Sequence, residues 1–207
     1  MQKEAVQENE APKKATETTV PMTSGERACI VEMCKRELDA AIPLVVAAEA
    51  ALDKLRKRDF PEVGRCNRKP PSIVHSVCQC VIHLRTGLDD SIELNRKTGR
   101  AKDMSWKQFE RMYFRVEAFV YGLKSFKSEI DAGKVPQSNV DAAKSAMRAM
   151  GDDFSADAVR KNAKGSEWAA LAAALVDWMR EMVSYYDVIV AVEEKKKALA
   201  GGKATGD

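Results

Sequence analysis

Two apolar stripes with heptad spacing, set far apart in the chain, constrain the fold more than any other feature. The first runs through Val31, Cys34, Leu38, Ala41, Val45, Ala48, Leu52 and Leu55, and the second through Leu171, Leu175, Trp178, Met182, Tyr185, Ile189 and Val192. Steps of three and four put each set on one helix face, and a seam that narrow needs a second helix to cover it. The economical solution pairs the two long helices antiparallel and places the intervening short helices as a bundle at their far end. An ordinary bundle with two long helices would show the same periodicity. The expected fold class is all-α, a small helical bundle at the tip of an antiparallel two-helix coiled coil.

Punctuation along the chain sets the expected boundaries. Residues 1–25 are polar, with Pro12 and Pro21, and read as disordered or frayed. Thr23 or Ser24 can cap a first helix that runs to about Arg58, with a bend expected at Pro43 because proline lacks the N–H for one backbone bond. Residues 26–55 form the outgoing helix in this reading. Residues 56–170 form the bundle, 171–200 the last bundle helix and returning helix, and 201–207 a disordered tail. Pro61 and Pro70-Pro71 redirect the chain, and a second helix with Ile73, Val74, Val77, Val81 and Leu84 follows to Gly87. In 87–104, the Ile92/Leu94 alternation and the Lys97-Thr98-Gly99 turn permit a short β-hairpin flap, with disorder as the alternative. Ser105 can cap a third helix carrying Trp106, Phe109, Met112 and Tyr113; Phe119, Leu123, Phe126 and Ile130 continue the helical spacing until the break at 131–136. Further helices are expected over Gln137–Met150, after Phe154, and from about Ser166 to Ala200.

Composition adds bounds. There are 34 Lys+Arg against 31 Asp+Glu, a formal charge of +3, so any anion binding must come from local clustering. No apolar run approaches the roughly 18 residues of a membrane span, and the polar start Met1-Gln2-Lys3-Glu4 has no signal-peptide core. Five cysteines, an odd number, suggest free thiols in a reducing cytosolic compartment.

Arg56, Lys57 and Arg58 close the first long helix. They serve either as solvated charges that complement the negative end of the helix dipole or as a docking site for an acidic surface. His75, Cys78, Cys80 and His83 invite a zinc reading, but Cys78 and Cys80 point about 200° apart on a helix, which does not suit one tetrahedral ion. Buried cysteines are the favoured reading, and no metal or other cofactor is expected. Trp106, Trp168 and Trp178 fit either base-stacking platforms or, at this spacing, core positions. There is no Walker-type loop, nucleophile elbow or metalloprotease motif, so the chain is not expected to be an enzyme.

Pro43, Glu62-Val63 and Pro70-Pro71, with the helix between them, resemble the tip of the dynein heavy-chain stalk, the microtubule-binding domain. Ser105-Trp106-Lys107-Gln108 is similar to the start of that family's third helix, and Phe119, Leu123, Phe126, Ile130 and Val135-Pro136 to a pattern of axonemal heavy chains. Phe154, Val159, Trp178, Arg180, Met182, Tyr185 and Asp187 resemble its last tip helix and returning strand of the stalk, so the resemblance spans roughly residues 38 to 195. The departures are small insertions before Pro70 and between Phe154 and Trp178, His75 in place of a usual lysine, Glu194 in place of a second proline, and Glu110 at a position that is basic in cytoplasmic members. The inserted segment 87–104 is similar to a flap of several axonemal members.

The resemblance implies a non-catalytic part of an ATP-driven motor whose ATPase ring lies elsewhere. The expected partners are the microtubule (α/β-tubulin) and the rest of the heavy chain, in the cytoplasm and cytoskeleton of a cilium or flagellum axoneme, with no membrane. It implies microtubule contacts at Arg56, Lys57, Arg58, Arg65, Arg115 and Lys161, flap contacts at Arg96, Lys97, Arg100 and Lys102, an affinity-restraining acid at Asp157, and a hinge at Pro43. It also implies that affinity is controlled by sliding of the two stalk helices. A basic nucleic-acid-binding helical module and a non-motor coiled-coil adaptor remain the alternatives.

Overall fold

The computed structural model describes residues 23–55, 59–60 and 70–201. Eight α-helices are named here: α1 Ser24–Asp53, α2 Ser72–Arg85, α3 Trp106–Tyr113, α4 Val116–Lys124, α5 Phe126–Asp131, α6 Gln137–Met150, α7 Ala156–Asn162 and α8 Ala169–Gly201. Thr23 starts α1 with a capping box, its hydroxyl accepting from the Glu26 N–H while the Glu26 carboxylate accepts from the Thr23 N–H. The helix ends at Asp53, five residues short of the expected Arg58; the Lys54 and Leu55 N–H groups donate to the Ala50 and Leu52 carbonyls. Pro43 lies inside α1.

The first and last helices run side by side in opposite directions. Glu37 of α1 pairs with Lys195 of α8, while Asp53, sixteen residues later, pairs with Lys124 at the end of α4. Next to Lys124, the Leu123 carbonyl accepts from Trp178 Nε1 of α8 at 3.2 Å. Moving up α1 from 37 to 53 therefore corresponds to moving down α8 from 195 towards 178, roughly 25 Å along each helix at 1.5 Å per residue. Of the expected first seam, Cys34, Ala41, Val45, Ala48 and Leu52 are buried, whereas Val31 is 59% exposed. The covered part of the seam is thus the part nearest the bundle.

The bundle is built around α2, which packs against α3, α6, α7 and α8. Val74, Val77, Cys78, Cys80, Val81, Ile82 and Leu84 are all buried, as expected of a helix surrounded by neighbours. The first half of α8 is enclosed in the same way, with Leu171 through Val176 buried; farther along, Asp187, Glu193 and Glu194 face solvent. The α8 helix therefore serves both as bundle core and as half of the long pair.

The expected third helix carries Trp106, Phe109, Met112 and Tyr113 as α3, and the helical spacing that follows it is divided between two further short helices, α4 and α5. The chain breaks at Phe114–Arg115 and again at Ser125, whose hydroxyl donates to the Gly122 carbonyl. These breaks let Phe109, Tyr113 and Phe119 converge with Trp106 and Trp168, with ring centroids 4.7–6.2 Å apart. One continuous helix would carry Phe119 away from Phe109. The segment 87–104 is an ordered turn and not a ladder. An isolated antiparallel bridge joins Leu94 and Ala101, and Asn95 and Lys102 N–H groups donate to the Arg100 and Glu93 carbonyls. The described residues contain no β-strand.

Candidate functional site

The main expected contacts, Arg56, Lys57 and Arg58, together with Arg65, lie outside the described residues. At the C-terminal end of α1, the Lys124 ammonium of α4 is 2.6 Å from the Asp53 carboxylate. Arg115 stands at the other end of α4, roughly 14 Å along a nine-residue helix from Lys124. It occupies the N-cap position, its carbonyl accepts from the Phe119 N–H at 2.9 Å, and its side chain is exposed.

Lys161 lies exposed in the last turn of α7, a helix started by the Ser155 hydroxyl accepting from the Ala158 N–H at 3.1 Å. Asp157, in the first turn, is held by Arg160 at 3.0 Å on the same exposed helix. Arg115 and Lys161 are linked through the aromatic cluster. Tyr113, two residues before Arg115, meets Trp168, which follows α7, at a centroid distance of 5.1 Å. Burying these rings fixes the α3–α4 corner against the α7–α8 junction.

The flap is seated on α2 and α3 by side-chain amides. Gln79 Nε2 donates to the Met104 carbonyl at 3.1 Å, and Gln108 Nε2 to the Ser91 carbonyl at 3.0 Å, while Ile92 is buried beneath. Arg96, Lys97 and Arg100 are exposed on it, and Lys102 is paired with Glu93 at 3.2 Å. His83 on α2 lies near this loop; burial first, and then the Arg100 guanidinium, push its imidazole below the usual histidine value.

The cysteine pair lies inside the bundle. Burial pushes the Cys80 thiol up to about 12 and raises the Cys78 thiol well above its usual value, so both are held as neutral thiols and not as the thiolates that bind metal. Among the described residues, no three His, Cys, Asp or Glu side chains are grouped to hold an ion. Trp168 and Trp178 are buried and Trp106 is partly so, which places all three in packing. No described helix is long and apolar enough to cross a membrane.

Two features escaped the reading of the sequence. The first is an exposed face of α3: Lys107 and Arg111, with Phe114 at the helix's C-cap, lie at i, i+4 and i+7 and are all exposed, next to the expected contact Arg115 at the start of α4. The spacing is present in the sequence, but the apolar rings of the same helix give the stronger periodic signal. The second is a buried polar frame. Arg85 pairs with Glu129 and lies 5.9 Å over the Phe126 ring, and the Asn139 amide donates to the Thr86 carbonyl at 2.7 Å. Gly122 makes room for it, since a Cβ there would sit 3.0 Å from Arg85 Nη2. No periodicity pairs residues 44 apart in sequence, so this frame was invisible.

Comparison with known proteins matches the geometry. A family model described as the microtubule-binding stalk of dynein motor matches residues 2–207. The chain is 35% identical over 171 residues to the dynein alpha chain of the flagellar outer arm of Chlamydomonas reinhardtii, covering 83% of this chain and 3% of that protein. It is 30% identical over 172 residues to dynein heavy chain-like protein 2 of Plasmodium falciparum, again 83% of this chain and 3% of that protein. To human dynein axonemal heavy chain 17 it is 26% identical over 184 residues, 88% of this chain and 4% of the relative. The chain thus spans only about 3–4% of the length of these relatives. Its antiparallel helix pair, its helical tip and a family match across nearly every residue place this chain in the family of microtubule-binding stalks of dynein heavy chains.

Proposed function

We propose that this chain is the stalk tip with which an axonemal dynein heavy chain reversibly grips a microtubule. The chain itself is non-catalytic in this reading, and the ATPase ring belongs to the rest of the heavy chain. The α/β-tubulin surface is acidic. Arg56, Lys57, Arg58, Arg65, Arg115 and Lys161 are the proposed contacts, with Arg96, Lys97, Arg100 and Lys102 reaching it from the flap and Asp157 restraining affinity. The observation that carries the reading is the antiparallel α1–α8 pair ending at a bundle that exposes Arg115 and Lys161, in a chain of this family. The family match favours neither the nucleic-acid-binding alternative nor the adaptor.

Gating follows from the weak lateral specificity of the long pair. The buried knobs Ala41 and Ala48 of α1 are small, so shifting them against α8 uncovers little area. Ile42 and Val46 stand exposed one residue on from buried Ala41 and Val45, so a rotation of α1 by about 100° exchanges one apolar pair for the other. Each exposed ion pair to tubulin is worth about 0–1 kcal/mol, so useful affinity needs several at once and their loss on a small tip movement releases the track.

Reversing charge at Arg56 and Lys57 together is expected to abolish co-sedimentation with microtubules while circular dichroism shows unchanged helicity. The unaltered chain is expected to bind progressively less as salt rises, because exposed charges are screened over about 8–10 Å at 0.1–0.15 M. Full co-sedimentation by the charge-reversed chain would overturn the assignment of the first helix end.

A further inference from the structure

We propose that Phe114, at the C-cap of α3 among Lys107, Arg111 and Arg115, is an apolar anchor of the microtubule contact; this rests on the microtubule-binding reading above. A ring that is 73% exposed gains nothing from the core of its own chain. Its surroundings are specific. Arg111 is one turn before it, Arg115 follows it, and Lys107 stands one turn before Arg111. Arg111 donates to the Gln108 amide oxygen at 3.3 Å, but none of the three cations forms an ion pair with a carboxylate among the described residues. Glu110, one turn before Phe114, and Asp103 are the nearby acids, and of these Asp103 is committed to the start of α3. Its carboxyl is held below the usual value chiefly by the Ser105 hydroxyl and N–H, and only weakly by Arg111 and Lys107.

The other strongly exposed ring provides the contrast. Tyr121 is 74% exposed, and Glu117 stands one turn before it as Glu110 does before Phe114; the difference lies in the cations, since the Lys124 near Tyr121 is already occupied by Asp53 whereas Lys107, Arg111 and Arg115 are not paired with a carboxylate among the described residues. An acidic partner is therefore drawn to the face of Phe114 and not to that of Tyr121. Interfaces draw much of their affinity from an aromatic side chain that becomes dry, ringed by charges that orient the approach. The partner chemistry is thus an apolar hollow rimmed by carboxylates on the microtubule's outer face.

The position also suits the role mechanically. Phe114 lies at the break between α3 and α4, directly after Tyr113, which is locked into the aromatic cluster. The ring stands on a rigid base, so little ordering entropy opposes its insertion.

Microtubule co-sedimentation of the full chain across a salt series separates the contributions. Phe114→Ala is expected to weaken binding about tenfold while leaving the slope of log Kd against log salt unchanged, since no charge is lost. Arg115→Ala should lower both affinity and slope, Phe114→Leu should recover much of the loss, and Tyr121→Ala should bind like the parent. Wild-type affinity of Phe114→Ala alongside weakened Arg115→Ala would overturn the anchor and leave the microtubule reading standing. Failure of the unaltered chain to bind at any salt would overturn both. A change of mass on sedimentation equilibrium with Phe114→Ala would assign the ring to self-association and overturn the proposal.

Discussion

Where α1 meets α8, the buried side chains of α1 are Cys34, Ala41, Val45, Ala48, Ala51 and Leu52, mostly small and all non-directional. Inside the bundle the contacts are stapled. Arg85 pairs with Glu129, Asn139 donates to Thr86, and Trp178 donates to Leu123, each across a long sequence separation inside the bundle. Hydrophobic burial depends on area and tolerates displacement, whereas a buried hydrogen bond fails within a fraction of an ångström. The contrast separates a part that can change register from a part that must keep its shape. Between them lies Asp131, which accepts from Tyr185 of α8 at 2.6 Å and pairs with Lys127, tying the edge of the bundle to the base of the pair.

That contrast can be broken by mutation. The largest effect is expected for Arg85→Met, which strands the largely buried Glu129 carboxylate; a loss of about 3–5 kcal/mol in urea unfolding is expected. A loss under about 1 kcal/mol would mean that the bundle is not held by this pair. Asn139→Ala leaves the Thr86 carbonyl without its partner and should lower stability by about 1–3 kcal/mol in the same assay. The smallest effect is expected across the long pair. Glu37→Ala removes its bond to a half-exposed Lys195 and should shift stability by about 0–1 kcal/mol. If Glu37→Ala proved as costly as Asn139→Ala, the two regions would be equally locked and the sliding argument would lose its basis.

Much of this architecture was legible because it is periodic. The two stripes named both long helices, and Gln137–Met150 was bounded by Pro136 and Gly151 as the structure has it. The failures have physical causes. The early end of α1 at Asp53 was obscured because Arg and Lys are good helix formers and gave no stop signal before Pro61. The corners at Arg115 and Ser125 carried no sequence signal because the apolar spacing from Trp106 to Ile130 survives both breaks; the packing of Phe109, Tyr113, Phe119 and Trp168 uses the first of them. Of the contact residues, Arg115 and Lys161 stand exposed where the resemblance suggested contacts, while Arg56, Lys57, Arg58 and Arg65 lie outside the described residues. Lys107, Arg111 and Phe114 were overlooked because exposure is not written in a residue's type.

The sequence by itself determined the helices, most of their ends and the family, since local hydrogen bonding and apolar period are properties of short stretches of chain. Tertiary structure alone decided the antiparallel register of Glu37 with Lys195, the burial of Arg85 beside Glu129, and the outward face of α3. Those depend on which surfaces meet across 40 to 160 residues, and that is chosen by the fit and desolvation of the whole packed core.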